Sequence, residues 1–370
     1  MVNTTFYCLS LSRFISSSHL FYNNRILFHS CELSRLTKGF LFSSQIRSVS
    51  IINSRFHQIL ERSITIISFS NYYFIRNEWN SNSSVFLKQC IFQNCMSITT
   101  GGAFICFNPD TFMEIQDSAF VSCHAQTYQS SGTRNGVSGG AFLFNGQSSR
   151  INRCCFVGCY GPSYAVVYHS YAILDNHQNM SHFTNNGKVE YGYVGFLSDN
   201  GHSVTNGING SYCKAKTFCS VGQPGTIAQS FIVEFCTIYR NSESTTALGF
   251  GSSTVTSPVF IYCNAISNSP SEGIYQVWGN DFSFKHFYFF NNTNSVCIVQ
   301  SGSISLDTCY SDTDFTGSFS NLANCQSNII NITIIPHTNA DACKAINNMH
   351  TMVQSIKKEL PLVLLTMFML

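Results

Sequence analysis

Charged residues are scarce in this sequence: Asp, Glu, Lys and Arg make up 10% of it, against roughly 25% in typical soluble domains. The formal net charge is +2 and no run of Lys and Arg occurs. This argues against nucleic acid as a partner, because such binding needs a basic patch to meet phosphates. Proline is rare as well, with 7 residues, which suits a backbone that donates hydrogen bonds along β ladders.

Apolar residues are plentiful instead. They make up 44% of the chain and include 33 Phe, which is enough to bury a large core and argues against disorder. The 17 cysteines have two interpretations: a disulfide framework of an oxidising compartment, or small buried hydrophobic side chains. The motif positions described next favour the second interpretation for most of them.

Two short motifs recur along the chain. Residues 101–104 and 139–142 both read Gly-Gly-Ala-Phe, and each is followed by a second element of the form [Cys/Ser]-x-[Phe/apolar]-x-x-[Cys/Asn]. Copies of the second element begin at Cys90, Ser118, Cys154, Ser181, Cys236, Cys263, His286 and, more loosely, Cys309. Most copies follow one another at similar intervals, and the interval after Ser181 is long enough to hold two copies.

The N-terminal part carries a related series. Similar tetrapeptides begin at Leu11, Leu33 and Asn53, and residues 71–77, which end on Asn77, continue the series. Because no linker interrupts the pattern, we interpret residues 1–335 as one domain. Residues 336–359 are expected to form a helical cap or stalk. The apolar tail 360–370 is too short to span a bilayer and is either a docked cap or the first half of a truncated transmembrane segment.

The spacing and composition predict an all-β fold, a single-stranded right-handed parallel β-helix with a short C-terminal helix. The apolar runs are short, aromatic or β-branched, and bounded by Gly, Asn and Ser, as in residues 64–67 and 231–233. The interval between copies is of the length that such a solenoid uses for one coil. Phe92, Phe120 and Phe156 should then form one interior column, and the Gly-Gly pairs should serve tight corners and close backbone approach.

The sixth position of the second motif alternates between Cys and Asn. It reads Asn77, Cys95, Cys123, Cys159, Asn186, Asn241, Asn268 and Asn291. We expect these side chains to face inward, with each Asn bonding the backbone of its own turn and of the next coil. Stacked one per coil they would form a line rather than a tetrahedron, which does not suit a metal site. No metal, cofactor or catalytic residue is predicted.

Gly-Gly-Ala-apolar followed by Phe-x-x-Asn resembles the chlamydial polymorphic outer membrane proteins and their relatives on protozoan cell surfaces. The resemblance covers the central two thirds of the chain and implies a β-helix protein of the cell surface or extracellular space that acts in adhesion. Phe104 and Phe142 depart from it, because the family usually has an aliphatic residue there. Only two full Gly-Gly-Ala copies occur, and no C-terminal outer-membrane barrel pattern follows them.

The expected function is therefore non-catalytic adhesion to host or matrix molecules, with a surface protein or glycan as partner, through loops such as 124–138 and 185–226. The C-terminal tail is the one expected membrane contact, and the oligomeric state is left open. The first alternative is a polysaccharide-degrading lyase or hydrolase, for which Asp307, Asp312 and Asp314 are the sole carboxylate cluster. The second alternative is a truncated gene product without independent function.

Overall fold

The computed structural model describes most of the chain between residues 3 and 329. The described ranges are 3–7, 10–12, 25–35, 41–43, 48–60, 64–67, 83–98, 101–126, 139–161, 168–184, 186, 193–194, 196–199, 201–214, 218–219, 223–224, 230–242, 246–251, 259–271, 273–278, 281–293, 295–299, 302–317 and 319–329. All regular elements within these ranges are β-strands. The all-β prediction is confirmed for this part of the chain.

The strands are short, as the composition predicts. Numbered along the chain they are β1 (Asn3–Tyr7), β2 (Ser10–Ser12), β3 (Arg25–His29), β4 (Glu32–Ser34), β5 (Leu41–Ser43), β6 (Ser48–Ile52), β7 (Arg55–His57), β8 (Ile64–Ile67), β9 (Ser83–Lys88), β10 (Ile91–Gln93), β11 (Met96–Ser97), β12 (Phe104–Phe107), β13 (Thr111–Gln116), β14 (Ala119–Val121), β15 (His124–Ala125), β16 (Phe142–Asn152), β17 (Cys155–Val157), β18 (Tyr168–Asn179), β19 (His182–Thr184), β20 (Tyr193–Val194), β21 (Phe196–Asp199), β22 (His202–Asn206), β23 (Asn209–Ser211), β24 (Phe218–Cys219), β25 (Gln223–Pro224), β26 (Ser230–Glu234), β27 (Thr237–Tyr239), β28 (Thr246–Gly251), β29 (Val259–Ile261), β30 (Asn264–Ile266), β31 (Gly273–Trp278), β32 (Phe282–Lys285), β33 (Tyr288–Phe290), β34 (Ser295–Val299), β35 (Ile304–Asp307), β36 (Tyr310–Ser311) and β37 (Asn321–Ala323).

Two long parallel ladders organise the molecule. The first ladder joins β1, β3, β6, β9, β13, β16, β18, β22, β26, β29, β32, β35 and β37, each paired in parallel with the next. The second ladder joins β2, β4, β7, β10, β14, β17, β19, β23, β27, β30, β33 and β36 in the same way. We use the word unit for a first-ladder strand together with its following turn and second-ladder strand.

Two further ladders are formed by strands that come before the first-ladder strands in the order of the chain. The third ladder joins β5, β8, β12, β16, β18, β21 and β25, and the fourth joins β20, β24, β28, β31 and β34. The long strands β16 and β18 belong to both the first and third ladders. Their register shifts between Gly146 and Ser148, so β18 has one extra residue there, and Ile173 and Leu174 are exposed. This is a β-bulge.

The centres of the second-ladder strands form one buried column. Phe56, Phe92, Phe120, Phe156 and Phe183 pair in register and are at most 1% exposed. Consecutive rings stack at centroid distances of 4.7 to 5.2 Å, with interplanar angles of 6 to 8°. This spacing matches the separation of neighbouring strands, about 4.7–4.9 Å. The predicted interior Phe column is confirmed.

Every described turn that follows a first-ladder strand has one residue with positive φ. These twelve residues, the first-turn column, are Ser30, Asn53, Gln89, Asp117, Arg153, Met180, Gly207, Phe235, Tyr262, His286, Thr308 and Asn324. Eleven of them are not glycine, although the left-handed region costs such residues about 1–2 kcal/mol. Each turn is held by the ladder, since for example Met180 N–H donates to the Asn206 carbonyl of the following unit at 2.8 Å.

The residue after the first turn faces the core and alternates between Cys and Ser in the N-terminal half. Ser118 Oγ donates to the Gln116 carbonyl at 2.8 Å and accepts the Cys90 backbone N–H at 3.1 Å. Cys154 Sγ donates to the Asn152 and Ile115 carbonyls at 3.4 and 3.6 Å. A thiol and a hydroxyl therefore fill the same role here, because both are small donors that can satisfy buried carbonyls.

The Cys/Asn position after the second turn is also buried, as predicted. Asn241 Oδ1 accepts the Cys213 N–H at 2.8 Å, and its Nδ2 donates to the Gly210 carbonyl at 3.2 Å. The Asn side chain thus bonds the preceding unit rather than its own turn. The copy predicted to begin at His286 is one residue out of register: Asn292, not Asn291, takes the position, since its Nδ2 donates to the Ala265 carbonyl at 2.8 Å. The run of four aromatic residues before it obscured which of them face the core.

The Gly-Gly pairs have the structural role that the sequence predicts. Gly101 has φ +65°, and a Cβ at Gly102 would overlap the Gly140 carbonyl oxygen and the His124 backbone. A Cβ at Gly140 would lie 2.6 Å from the Tyr160 carbonyl. Only glycine permits these backbone approaches. The two motifs stack on each other, with Gly102 N–H donating to the Gly140 carbonyl at 3.0 Å.

Two predictions of register and loop position are wrong. Leu33 pairs with Phe56 rather than with Asn53. The copy predicted at residues 71–77 lies outside the described residues. The predicted loop 185–226 contains the described strands β20 to β25, and β22 and β23 supply the copy missing from the long interval after Ser181. That copy escaped the motif because Gly210 stands in the Phe column.

The start of the other predicted loop, at residue 124, is a strand residue of β15, and residues 127–138 lie outside the described ranges. The predicted C-terminal helix at 336–359 and the tail at 360–370 also lie outside them, so the domain boundaries stay predictions. Among the described residues there is no helix of the length and apolar character needed to cross a bilayer.

Candidate functional site

The outward side chains of the C-terminal half form an aromatic surface. Alternation along each strand turns the two residues that flank the buried centre to the opposite side of the strand; some of them are buried there, as in β23 and β30, and others are half-buried, as in β33. From β23 to β36 these outward positions and the adjoining turn residues hold a set of side chains that we call the aromatic face: Tyr212, Phe235, Tyr239, Tyr262, His286, Tyr288, Phe290 and Tyr310. It spans five units, which corresponds to about 19 Å along the ladder at the usual strand spacing.

One side of the aromatic face is a stack on the first-turn column. The ring centroids of Phe235 and Tyr262 lie 5.2 Å apart at an interplanar angle of 11°, and those of Tyr262 and His286 lie 4.7 Å apart at 9°. Phe235 and Tyr262 are 40% and 44% exposed. Their placement at a left-handed turn projects each ring outward. Because the rings cover one another's faces, this stack presents its edges to solvent.

The other side of the aromatic face is organised by Arg240. Its guanidinium carbon lies 4.9 Å from the Tyr239 ring centroid and 6.0 Å from that of Tyr212, within the range of cation–π attraction. Its Nη1 donates to the Tyr212 hydroxyl at 3.3 Å. The two tyrosine rings meet edge to face, with centroids 5.7 Å apart. Each of the three side chains thus contacts the other two, although the cluster lies at the surface.

Between these two sides lies a layer of small buried polar residues. Asn209, Thr237 and Asn264 occupy the first position of successive second-ladder strands and are at most 3% exposed. Asn264 Nδ2 donates to Thr237 Oγ1 at 3.4 Å. In the next two units the same position holds Tyr288 and Tyr310, which stack at 5.1 Å. The face therefore widens toward its C-terminal end.

The N-terminal half carries different chemistry at the same positions. Its first-turn column holds Ser30, Asn53, Gln89, Asp117 and Arg153. Arg153 bonds Asp117 through Nε and Nη2 at 2.6 and 2.8 Å, and this contact raises the pKa of the Arg153 guanidinium. At these positions of the described units, aromatic side chains are thus concentrated in the C-terminal half, which the shared backbone conformation does not require.

The acidic residues singled out in the sequence do not converge. Asp307 Oδ1 accepts from Thr308 Oγ1 at 3.0 Å, and Asp312 Oδ2 accepts the Asn291 backbone N–H at 2.7 Å. Asp314 Oδ1 accepts from the Asn328 amide at 2.7 Å. Each carboxylate has its own local partner in a turn. Within the described ranges no group of three or more His, Cys, Asp or Glu side chains could hold a metal ion.

Most of the described cysteines are structural. Twelve of them are free, and eleven of these are buried. Burial raises the pKa of the thiols of Cys90, Cys106, Cys154, Cys213 and Cys309 to about 12. A thiol that does not ionise near neutral pH is a poor nucleophile and a poor metal ligand. Cys155 differs from these twelve, because it is disulfide-bonded.

The aromatic face lies on strands and turns outside the loops in which the sequence predicts binding residues. Its members lie a whole unit apart along each column, so they show no local cluster in the sequence. Their recurrence close beside the Cys and Asn motif positions was the available signal. No family model, no curated protein and no solved structure matches the chain.

Proposed function

We propose that the chain is a non-catalytic interaction protein of the cell surface, built as a right-handed parallel β-helix, and that its aromatic face binds a macromolecular partner. The in-register ladders, the stacked Phe column and the one-per-unit turn residues support the β-helix, in which each unit contacts only its neighbours. The aromatic face is the single observation that carries the binding role.

Three physical features of the face favour binding. Contiguous exposed apolar surface often marks an interaction site, and Tyr and Arg are enriched among the residues that dominate binding energy. The rings are ordered before any partner arrives, because Tyr262 stacks between Phe235 and His286 and Arg240 contacts the two tyrosines beside it. Less ordering entropy is then lost on association.

The cysteines support a place outside the cytosol. The Cys155 disulfide is typical of an oxidising compartment. The buried free thiols are compatible with it, because burial disfavours the thiolate that oxidants attack. Surface biotinylation of intact cells tests this location. Labelling of the chain only after lysis would contradict it.

The binding role is tested with an immobilised panel of extracellular-matrix proteins and polysaccharides, measured by biolayer interferometry. We expect the full chain to bind at least one member, and the double variant Tyr239→Ser, Phe290→Ser to bind about tenfold more weakly or worse. The matched control is Gln93→Ser, Val121→Ser, at the same outward position in the N-terminal half. Equal loss in both double variants, or binding to nothing, would contradict the proposal.

A further inference from the structure

The tripeptide Asn-x-Ser/Thr, which is the acceptor for N-linked glycans, occurs six times in the chain. The copies begin at Asn3, Asn82, Asn179, Asn209, Asn291 and Asn331. For three of them, at Asn179, Asn209 and Asn291, the structure describes the burial of both the Asn and the Ser/Thr side chain. Burial separates these three copies, because a glycan is large and polar and has to stay outside the folded core.

Two of the three copies are poorly placed for a glycan. Asn209 is 2% exposed and Ser211 is 4% exposed, and both lie on the buried strand β23. Asn179 is half-buried at the end of β18, and the hydroxyl residue of its copy, Ser181, is fully buried. The Ser181 hydroxyl accepts the Cys154 backbone N–H at 3.2 Å and donates to the Asn179 carbonyl at 3.2 Å. Neither copy presents its whole acceptor to solvent.

The copy at Asn291 has the opposite placement, because Asn291 and Thr293 are both exposed. Asn291 follows the last residue of β33, Phe290, and its φ is +52°. Tyr212 and Arg240 occupy the same turn position in earlier units, with φ +55° and +51°, and they are exposed as well. This turn therefore projects its side chain outward, next to the aromatic face.

The hydrogen bonds around Asn291 are compatible with a glycan on its side chain. Nδ2 donates to Ser267 Oγ at 3.1 Å, an exposed contact. A primary amide has two N–H groups and glycosylation replaces one of them, so the other can still make this bond. The backbone N–H of Asn291 donates to Asp312 Oδ2 at 2.7 Å and takes no part. The core position is held by Asn292 instead, whose Nδ2 donates to the Ala265 carbonyl.

We propose that Asn291 carries an N-linked glycan, which stands beside Phe290 at the border of the aromatic face. This inference rests on the proposed location, since such glycans belong to secreted and surface proteins. In the reaction, Nδ2 bonds to the anomeric carbon of an oligosaccharide carried on a polyprenyl diphosphate. The bond from that carbon to the diphosphate oxygen breaks, the diphosphate leaves with the electron pair, and Nδ2 gives up one proton.

The test uses the full chain produced in eukaryotic cells. Peptide N-glycosidase in heavy-oxygen water converts a glycosylated Asn into a labelled Asp, which mass spectrometry locates. We expect label at Asn291 and none at Asn209. Asn291→Gln and Thr293→Ala should each abolish the label at this site, the second because the acceptor needs the hydroxyl, and Thr293→Ser should retain it. The matched control is Asn94→Gln, which should leave the label unchanged: Asn94 is exposed at the same turn position with φ +52°, but Met96 stands where the acceptor needs Ser or Thr.

Surface biotinylation of the same cells separates the glycan from the proposed function. If the chain is biotinylated on intact cells and Asn291 is unmodified, the glycan is overturned and the proposed function stands. Biotinylation only after lysis contradicts the location and the glycan together. Label that persists in Thr293→Ala reports deamidation instead of a glycan, and label as strong at Asn209 as at Asn291 shows that burial does not select the site; either result overturns the inference.

Discussion

Truncating one ring of the interior Phe column should destabilise the protein strongly. Phe120 is fully buried, and its ring stacks at 4.9 Å on Phe92 and at 5.2 Å on Phe156. Phe→Ala substitutions in cores cost about 3–5 kcal/mol, and each stacked pair contributes about 0.5–1.5 kcal/mol. Because Phe120→Ala loses two stacks, we expect the upper part of that range, about 4–5 kcal/mol. This corresponds to a change of roughly a thousandfold or more in the unfolding equilibrium.

The assay is urea-induced unfolding followed by far-ultraviolet circular dichroism. The control is Val121→Ala, at the next position of β14, where the side chain is half-buried and points outward; about 1 kcal/mol is expected for it. Native-state hydrogen exchange adds a local measurement: β10 and β17, the direct neighbours, should lose more protection than the distant β35. The argument is refuted if Phe120→Ala lowers the free energy of unfolding by no more than about 1 kcal/mol beyond the effect of Val121→Ala.

Three further predictions concern polar and backbone positions. Asn241→Ala should lower the free energy of unfolding by about 2–3 kcal/mol, because the buried Cys213 N–H and Gly210 carbonyl lose their hydrogen-bond partner. Asn241→Cys, which introduces the other residue type of this position, should lower it by about half as much, and urea-induced unfolding measures both. Gly102→Ala should prevent native folding or cost more than about 3 kcal/mol in thermal unfolding, because its Cβ would overlap the backbone. Gly158→Ala, whose Cβ would make only ordinary contacts with Ser122, should cost about 1–2 kcal/mol. Stability should fall as pH rises from 9 toward 12. Burial raises the thiol pKa of Cys154 to about 12, so this thiol loses its proton at a lower pH in the unfolded state than in the folded state. The free energy of unfolding should therefore fall by about 1.4 kcal/mol per thiol and pH unit. Cys154→Ser, which copies Ser118, should reduce that slope in unfolding measured at pH 8 and pH 10.5, and an unchanged slope would contradict the assignment.

Inward-facing residues were the most predictable part of the structure. Phe92, Phe120 and Phe156 could be placed in one column because core packing accepts few residue types, and the same constraint acts at the same step of every unit. The Cys and Asn positions were predictable for the same reason. The predicted register was wrong or incomplete at two places where the core position is not recognisable from the sequence. Gly210 stands in the Phe column, and several aromatic residues are adjacent in the run before Asn292.

Outward residues were harder to predict from the sequence, because no packing constraint repeats there. Tyr239, Tyr262 and Tyr288 recur close to motif positions, but their neighbourhood exists only once the ladders fix the register.

The sequence alone thus determined the all-β character of the described part of the chain and many of the side chains that fill its core, because core burial is repeated at each step. Only the tertiary structure decided which exposed side chains lie side by side. Parallel pairing brings residues that are a whole unit apart in the sequence to within one strand spacing, and it is that pairing which assembles the aromatic face.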